Sequence, residues 1–325
     1  MHAFDFATPN NVNQALRLAT ADSAFLAGGT TLVDLMKLDV LTPRHVIDIN
    51  ALNLRGIELR GDGLRIGAME RMSDVAGHRD VAVNYPVITK ALLLSASGQL
   101  RNMASIGGNL LQRTRCDYFR DVKTPCNKRE PGSGCPAQTG DNRAHAVLGT
   151  STACAATHAS DLAVALVALD AAVRLRGRDG DRMVKLGDFY LLPGDTPQVE
   201  NQLRPGELIT EVVVPRLLWA QRSGYVKIRD RQSYEFAVTS AAVALDLRGR
   251  TVHDVRIAVG GVGTKPWRLP AVEDALRDLP LRRETAEAAA ALAANGARPL
   301  AHNGFKVKLV QRTIVRALLS VGGVR

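Results

Sequence analysis

FLAGGTTLVDLM, residues 25–36, places a Gly-Gly pair between a predicted strand, Ser23 to Leu26, and a predicted helix. Glycine lets the backbone come close to a bound anion, and successive amide N–H groups in such a loop form a concave site for phosphate oxygens. The hydroxyls of Thr30 and Thr31 add donors, and the N-terminus of the following helix favours negative charge. The stretch favours an anion-binding loop, although a plain tight turn is also compatible with it.

A second Gly-Gly pair lies in RNMASIGGNLLQ, residues 101–112, where a partly helical region is predicted to break between Ser105 and Asn109. Small hydrogen-bond donors again flank the glycines. Two such loops in one domain suit a ligand with two linked phosphates, because each loop can bind one of them. A dinucleotide such as FAD satisfies both loops.

The four cysteines of the chain lie in one window of 39 residues: Cys116, Cys126, Cys135 and Cys154. Disulfide frameworks belong mostly to short secreted chains, and structural zinc sites usually come from paired C-x2–4-C motifs, which this window lacks. A cluster bound by four thiolates tolerates irregular spacing. A mixed site completed by His145 or His158 and a set of four free buried thiols are the alternatives.

The cysteines fall mostly in a segment without apolar periodicity, from Gln112 to about Ala144. A structureless loop of some thirty residues is uncommon inside a domain unless something holds it in place. The segment has seven Lys or Arg against four Asp or Glu, an excess that would offset the negative charge of a cluster with four thiolates. We expect a metal–thiolate centre to order it, because its apolar content is low.

The remaining pattern predicts a mixed α+β fold. GIELRGDGLRIGAM alternates around Asp62-Gly63 and predicts a β-hairpin, and a first helix is expected with Thr8 as its cap. GELITEVVVP predicts the last strand of a first domain. Alternating strands followed by three helices then predict a separate α+β domain from about residue 220.

Composition excludes several classes of protein. With 46% hydrophobic and 23% charged residues, the 325-residue chain is neither disordered nor a coiled coil. The net charge of +10 is spread along the sequence rather than gathered in basic tracts, and aromatic residues are few, which disfavours nucleic-acid binding. No apolar run is long enough to span a membrane. The N-terminus shows no secretion signal, so we expect either a cytoplasmic protein or a periplasmic one exported with a partner.

Five motifs occur in a familiar order: FLAGGTTLVDLM, LRIGAM, RNMASIGGNLLQ, HASDLAVALVAL and GGVGTKPWR. In these the chain resembles, from Ala3 to Val321, the FAD-binding subunits of the xanthine dehydrogenase and molybdenum hydroxylase family. The resemblance implies an FAD-binding domain of the vanillyl-alcohol oxidase (PCMH) type over residues 1–220. A smaller α+β domain of the carbon-monoxide-dehydrogenase flavoprotein type would follow over residues 221–325.

Residues 113–144 form an insert that most members of this family lack. The insert resembles the flavin subunit of periplasmic aldehyde oxidoreductases, in which four cysteines bind an extra [4Fe–4S] cluster close to FAD. That resemblance makes Cys116, Cys126, Cys135 and Cys154 the cluster ligands. One departure is Ala159, where the family often has proline, which affects local rigidity more than chemistry.

The same resemblance implies which residues bind FAD non-covalently. The pyrophosphate would lie against Leu26, Ala27, Gly28, Gly29, Thr30, Thr31 and Leu32, with Ser105, Gly108 and Asn109 on its other side. Asp161 would reach the ribose or adenine end, and Lys227 would stand near the isoalloxazine ring. From the residues alone, Ser160-Asp161 is equally compatible with simple helix capping and Lys227 with an ordinary exposed lysine.

The resemblance further implies an electron-transfer subunit of a heteromeric aldehyde oxidoreductase. Substrate oxidation would occur on a large subunit with a molybdenum cofactor, so no catalytic residue is expected in this chain. Electrons would pass through a small [2Fe–2S] subunit to this chain and from its FAD to an external acceptor. The alternatives are a cluster-free flavin subunit of the xanthine, nicotinate or carbon monoxide type and, more remotely, a zinc-stapled nucleic-acid-binding protein.

Overall fold

The chain folds into three β-sheets with helices packed around them, and the computed structural model describes residues 1–324. The strands are β1 Asp5–Ala7, β2 Ser23–Leu26, β3 His45–Asp48, β4 Ile57–Arg60, β5 Gly63–Gly67, β6 Ala172–Gly177, β7 Gly180–Lys185, β8 Leu208–Pro215, β9 Ser223–Ile228, β10 Thr239–Arg248, β11 Thr251–Gly260 and β12 Trp267–Arg268. The α-helices are α1 Val12–Leu18, α2 Leu32–Lys37, α3 Met72–Gly77, α4 Arg79–Asn84, α5 Pro86–Leu93, α6 Gly98–Met103, α7 Ile106–Leu110, α8 Asp117–Arg120, α9 Asp161–Ala168, α10 Leu186–Phe189, α11 Pro270–Leu276, α12 Arg283–Ala290 and α13 Phe305–Gly322. The predicted α+β class is confirmed.

The N-terminal sheet is parallel, in the order β1-β3-β2. Because parallel strands end at the same edge, the loop that follows β2 and the turn that follows β3 come together. Asn50 joins them, since its side-chain amide donates to the carbonyl of Ala27 at 2.9 Å. The predicted cap of α1 was wrong: the helix begins at Val12, and Asn11 rather than Thr8 accepts the capping bond.

The second sheet has five antiparallel strands in the order β4-β5-β8-β6-β7. The predicted hairpin is confirmed, because Arg60 pairs with Gly63 across the Asp62-Gly63 turn. The chain leaves this sheet after β5, at residue 67, and returns with β6 at residue 172. Strand β8 then fills the centre of the sheet, between β5 and β6. The loops that carry the site lie in the excursion between these strands and in the N-terminal sheet.

The third sheet is antiparallel, in the order β12-β11-β10-β9, and α13 packs against β9 and β10. Helix α9 lies between this sheet and the rest of the molecule. All of its residues are buried, and it packs against α5 on one side and against β10 and β11 on the other. The apolar core of the first part therefore extends to Ala242, Ala244 and Ala258 of the third sheet, while the C-terminal part also has an apolar cluster of its own.

The insert, residues 113–144, contains α8 and a short 3-10 helix, Pro136–Gln138. Phe119, with 1% of its surface exposed, packs in a small apolar cluster with Leu35 and Val40. Polar side chains order much of the rest: the Arg129 guanidinium donates to the carbonyls of Tyr118 and Phe119 at 3.0 and 2.7 Å. The low apolar content of the insert is thus offset by hydrogen bonds from side chains to the backbone.

Candidate cofactor sites

Two adjoining cavities, of about 210 Å³ and about 480 Å³, meet at Thr30, Thr31 and Gly108, which line both. Together they fall in the roughly 300–1,000 Å³ range of ligand sites. The first cavity contains Ala27 to Leu32, Ser105 and Gly108; the second extends to Asn109, Asp161 and Lys227. Of the predicted FAD contacts, Leu26 alone lines neither cavity.

The first Gly-Gly loop presents free amides to the cavities. The backbone N–H groups of Gly28, Gly29, Thr30 and Thr31 donate to no acceptor within residues 1–324, and the Thr31 hydroxyl makes no capping bond to α2. Gly29 has a φ of +71°, a left-handed conformation that glycine adopts without strain. The loop has the arrangement of a phosphate-binding nest.

Gly28 packs directly against the chain that leads into the second Gly-Gly pair. A Cβ atom at Gly28 would lie 2.0 Å from the carbonyl oxygen of Met103 and 2.9 Å from the Cα of Ala104. Only glycine permits this separation between the two segments. The close contact is what brings both predicted loops to one cavity, although 75 residues of sequence separate Gly28 from Met103.

The second Gly-Gly pair is not a loop. The predicted break at Ser105 to Asn109 was wrong, because Ile106–Leu110 form helix α7, and Ser105 caps it by accepting from Gly108 N at 3.1 Å. The amides of Ile106 and Gly107 bond to the carbonyls of Glu70 and Ala68. These glycines therefore allow close packing and close ligand approach, while the free amides belong to the first loop.

Asp161 and Lys227 form a buried ion pair at the far end of the larger cavity. Lys227 Nζ lies 2.7 Å from Asp161 Oδ2, and the two side chains are 1% and 6% exposed. Ser95 also donates to this carboxylate, at 3.1 Å, and the Tyr225 hydroxyl donates to Oδ1 at 2.8 Å. Burial, together with the charge of Asp161, raises the pKa of Tyr225 well above its usual value, so this hydroxyl stays protonated.

The contact between Asp161 and Lys227 bears on their expected positions along FAD. The resemblance implied the ribose or adenine end for Asp161 and the isoalloxazine end for Lys227. The two side chains are joined at 2.7 Å and so lie beside the same part of the cavity, while their separate positions along FAD stay predictions. The pair forms a single polar group at one end of the cavity.

Arginine side chains of the insert line both cavities, and each of them is paired with a carboxylate. Arg120 binds both oxygens of Asp34, at 2.8 and 3.0 Å, and Arg115 binds Oδ2 at 3.0 Å. Hydrogen bonds from Arg120 hold the pKa of Asp34 below its usual value. Arg113 is paired with Glu200 at 2.6 Å. Arg115 and Arg120 share one carboxylate, and Arg113 shares Glu200 with Lys128, so each group keeps a net positive charge that favours an anion beside the free amides.

The four cysteines are near enough for their charges to affect one another. None forms a disulfide, Cys126 and Cys154 are buried, and the other two are partly buried. Burial raises the pKa of the Cys116 thiol to about 12, and the charges of Cys126 and Cys154 add to that shift. Burial likewise raises the pKa of Cys135 and Cys154, and each of these two thiols is also affected by Cys126.

The spacing of the sulfurs bears on which metal centre the four thiols could hold. No three His, Cys, Asp or Glu side chains in residues 1–324 converge closely enough to hold one ion. Sulfurs around a single zinc would lie about 3.8 Å apart, because Zn–S bonds are about 2.3 Å. Thiolates at the corners of a cluster are more widely spaced, since irons and sulfides lie between them. Four cysteine thiolates are the donor set of a [4Fe–4S] centre as well as of a zinc site with four cysteines, and the absence of a one-ion geometry in residues 1–324 is compatible with the wider spacing of a cluster.

Sequence reasoning did not assign Asp34, Arg115 and Arg120 to the site. Their contacts join α2 to the insert across more than 80 positions, and neither spacing nor periodicity reports such a pairing. The one available signal was the position of Asp34, three residues after the first Gly-Gly loop and within the motif itself.

Comparison with known proteins agrees with this geometry. A family described as the FAD binding domain in molybdopterin dehydrogenase matches residues 2–217, and the CO dehydrogenase flavoprotein C-terminal domain matches residues 224–321. The chain is 47% identical, over 98% of each sequence, to the aldehyde oxidoreductase FAD-binding subunit PaoB of Escherichia coli. The chain belongs to the FAD-binding subunits of the molybdenum hydroxylase family. The recognised family and the expected order of two fold types are confirmed, and FAD is the cofactor that the matching family is described as binding.

More distant relatives of this flavin subunit show the same pattern. The glyceraldehyde dehydrogenase medium chain of Sulfolobus acidocaldarius is 29% identical over 83% of the chain and 79% of the relative. Carbon monoxide dehydrogenase from Hydrogenophaga pseudoflava, solved without the Mo-pyranopterin moiety of its cofactor, superposes with a TM-score of 0.78 and 26% identity, covering 99% of this chain and 98% of that one. In the described part of the flavin subunit, no helix combines the length and apolarity needed to cross a bilayer.

Proposed function

We propose that this chain is the FAD- and [4Fe–4S]-carrying electron-transfer subunit of a heteromeric molybdenum-dependent aldehyde oxidoreductase. Its similarity to PaoB, whose name specifies an aldehyde oxidoreductase FAD-binding subunit, supports the aldehyde class. The observation that carries the cluster assignment is the presence, in and just after the insert, of four buried or partly buried thiols, which is the full ligand set of a [4Fe–4S] centre.

FAD, when bound, supplies reversible electron acceptance and donation. The amides of Gly28 to Thr31 would hold its pyrophosphate, with Ser105, Gly108 and Asn109 opposite. Asp161 and Lys227 would contact one end of the molecule. No histidine or cysteine stands among the predicted contacts, so the flavin would be held without a covalent link.

Cys116, Cys126, Cys135 and Cys154 would ligate the cluster, which supplies one-electron transfer at a potential set by its surroundings. The position of Cys116 favours short-range electron transfer to FAD. It follows Arg115, which lines the larger cavity, and lies eight residues after Gly108, which lines both cavities.

The partners would be a large subunit with the molybdenum cofactor, where the aldehyde is oxidised, and a small [2Fe–2S] subunit that delivers electrons to this chain. An external acceptor would then oxidise the flavin. The assembly would be a heterotrimer or a multiple of it. If it is periplasmic, a signal on a partner would direct export; the alternative is a cytoplasmic complex.

Metal analysis of the anaerobically purified chain tests the proposal. About four iron atoms with matching labile sulfide should be found per chain, together with FAD absorption. Flavin without iron would overturn the cluster assignment and favour a cluster-free subunit of the xanthine, nicotinate or carbon monoxide type. A colourless protein with one zinc and no sulfide would overturn the proposal and support the nucleic-acid-binding alternative.

A further inference from the structure

His145 is a buried imidazole outside both the proposed FAD contacts and the four proposed cysteine ligands. It lies where the chain returns from the insert, with 6% of its surface exposed. Its Nε2 is 3.2 Å from the sulfur of Cys116. The other ring nitrogen, Nδ1, is buried and has no hydrogen-bond partner among residues 1–324. Among residues 1–324, the sulfur of Cys116 is thus the one polar atom within hydrogen-bond distance of the His145 ring.

The backbone around His145 is fixed from the C-terminal part of the chain. Lys306 on α13 is 1% exposed, and its ammonium donates to the carbonyls of Ala144, His145 and Gly261 at 2.9, 3.0 and 2.8 Å. Asn303, fully buried, also donates to the His145 carbonyl, at 3.3 Å.

The segment just before His145 is held in the same way. Asn142, also fully buried, accepts from the amide of His302 at 2.8 Å and donates to the carbonyl of Ala137. The His145 amide bonds to the carbonyl of Asn142 at 3.0 Å. Side chains 158 to 161 positions away along the sequence therefore fix the point from which the imidazole projects towards Cys116.

We infer that His145 is a positioning and tuning residue for the iron–sulfur centre, donating an Nε2–H hydrogen bond to the sulfur of Cys116. This inference rests on the proposed function, since it requires that Cys116 be a cluster ligand. A hydrogen bond to a ligating sulfur stabilises the more negative, reduced state of a cluster and so raises its reduction potential. His145 is assigned as a donor rather than as a ligand because the four cysteines of the proposed function already complete the ligand set of the cluster.

The test compares cluster potentials in the full chain. His145→Leu removes the donor with a side chain of similar bulk, and His145→Gln keeps an N–H donor at a similar reach. We expect iron and sulfide contents close to wild type in both variants, with the midpoint potential of His145→Leu shifted to a more negative value. His145→Gln should recover part of that shift. His302→Leu, at an exposed histidine whose backbone amide donates to Asn142, is the matched control and should leave the potential unchanged.

The outcomes separate the inference from the proposed function. Iron-free wild-type protein would overturn the proposed function. Normal iron with an unshifted potential in His145→Leu, or complete loss of iron in both variants, would overturn the hydrogen-bond role.

A measurement on the wild-type chain remains decisive if the variants misfold. With ¹⁵N-labelled histidine, pulsed EPR of the reduced protein should show a weak nitrogen coupling to the cluster. A strong coupling would make a histidine a ligand and overturn the inference, and no coupling would overturn it too.

Discussion

Replacing Gly28 by alanine should separate the two segments that form the FAD site. The new Cβ would lie 2.0 Å from the carbonyl oxygen and 2.7 Å from the carbonyl carbon of Met103, whereas ordinary contacts begin near 3.4 Å. The atoms in its path are backbone, so no side-chain rotation relieves the clash. One segment must retreat by more than about 1 Å, and overpacking of this kind typically costs about 1–3 kcal/mol of stability.

The same displacement sets the effect on FAD affinity. Amide–phosphate hydrogen bonds need donor–acceptor distances of about 2.7–3.2 Å, so a shift of about 1 Å breaks those made by the displaced amides. A hydrogen bond to a charged group contributes about 1.5–3 kcal/mol, and each 1.4 kcal/mol is tenfold in affinity. We therefore expect Gly28→Ala to weaken FAD binding by between about tenfold and a hundredfold for each bond lost.

Titration of the apo-chain with FAD, followed by flavin fluorescence, measures this change, with thermal unfolding in parallel. Gly98→Ala is the matched control, because a Cβ there meets only the end of the Arg101 side chain, at 3.9 Å. Gly29→Ala should cost about 1–2 kcal/mol of stability at a left-handed position but leave the separation of the segments unchanged, with a smaller loss of affinity. A Gly28→Ala chain that binds FAD as tightly as wild type would refute the reasoning.

Four further outcomes are expected. Cys126→Ser should lower iron and labile sulfide and open residues 113–144 to limited proteolysis, with FAD partly retained; undiminished iron would exclude this residue as a ligand. Acid or heat should release FAD into the supernatant, and flavin that stays with the precipitate would contradict non-covalent binding. The chain should copurify with a [2Fe–2S] subunit and a molybdenum subunit, and aldehyde turnover by the isolated chain would disprove the division of labour. Burial lowers the pKa of Lys306 from 10.5 to about 7, so the unfolded chain binds the proton more tightly. The free energy of unfolding of the wild-type chain should therefore rise with pH between these values. Chemical denaturation should show that Lys306→Met loses this rise, and an unchanged pH profile would refute the assignment.

Local patterns predicted much of the secondary structure. The hairpin around Asp62-Gly63 depends on a two-residue turn, and the capping of α9 by Ser160 depends on a side chain and an amide three positions apart. The helix cap at Thr8 failed because Asn11 is closer to the apolar repeat and is also a good cap. The Gly-Gly pair at residues 107–108 was mistaken for a break because glycine disfavours helices in isolation, whereas packing against Ala68 stabilises this one.

The site itself was only partly accessible to sequence reasoning. Local composition located the first Gly-Gly loop and the four cysteines, since both features are contiguous or nearly so. The contact of Asp161 with Lys227, 66 positions apart, and that of Asp34 with Arg120, 86 positions apart, are products of tertiary folding. No periodicity encodes such pairs, and spacing did not reveal that Asp161 and Lys227 face the same part of the cavity.

Helix α9 has a consequence for how the chain could be divided. Its eight residues are buried between α5, in the stretch matched by the FAD-binding family, and strands β10 and β11, in the stretch matched by the C-terminal family. Its first residue, Asp161, is paired with Lys227 across the junction. Separating the two halves near residue 220 would expose the apolar side of α9 that packs on β10 and β11. It would also leave the Asp161 carboxylate without the Lys227 ammonium. The two halves, although distinguishable as evolutionary modules, should unfold in a single cooperative transition, and neither should be recovered as an independently folded fragment.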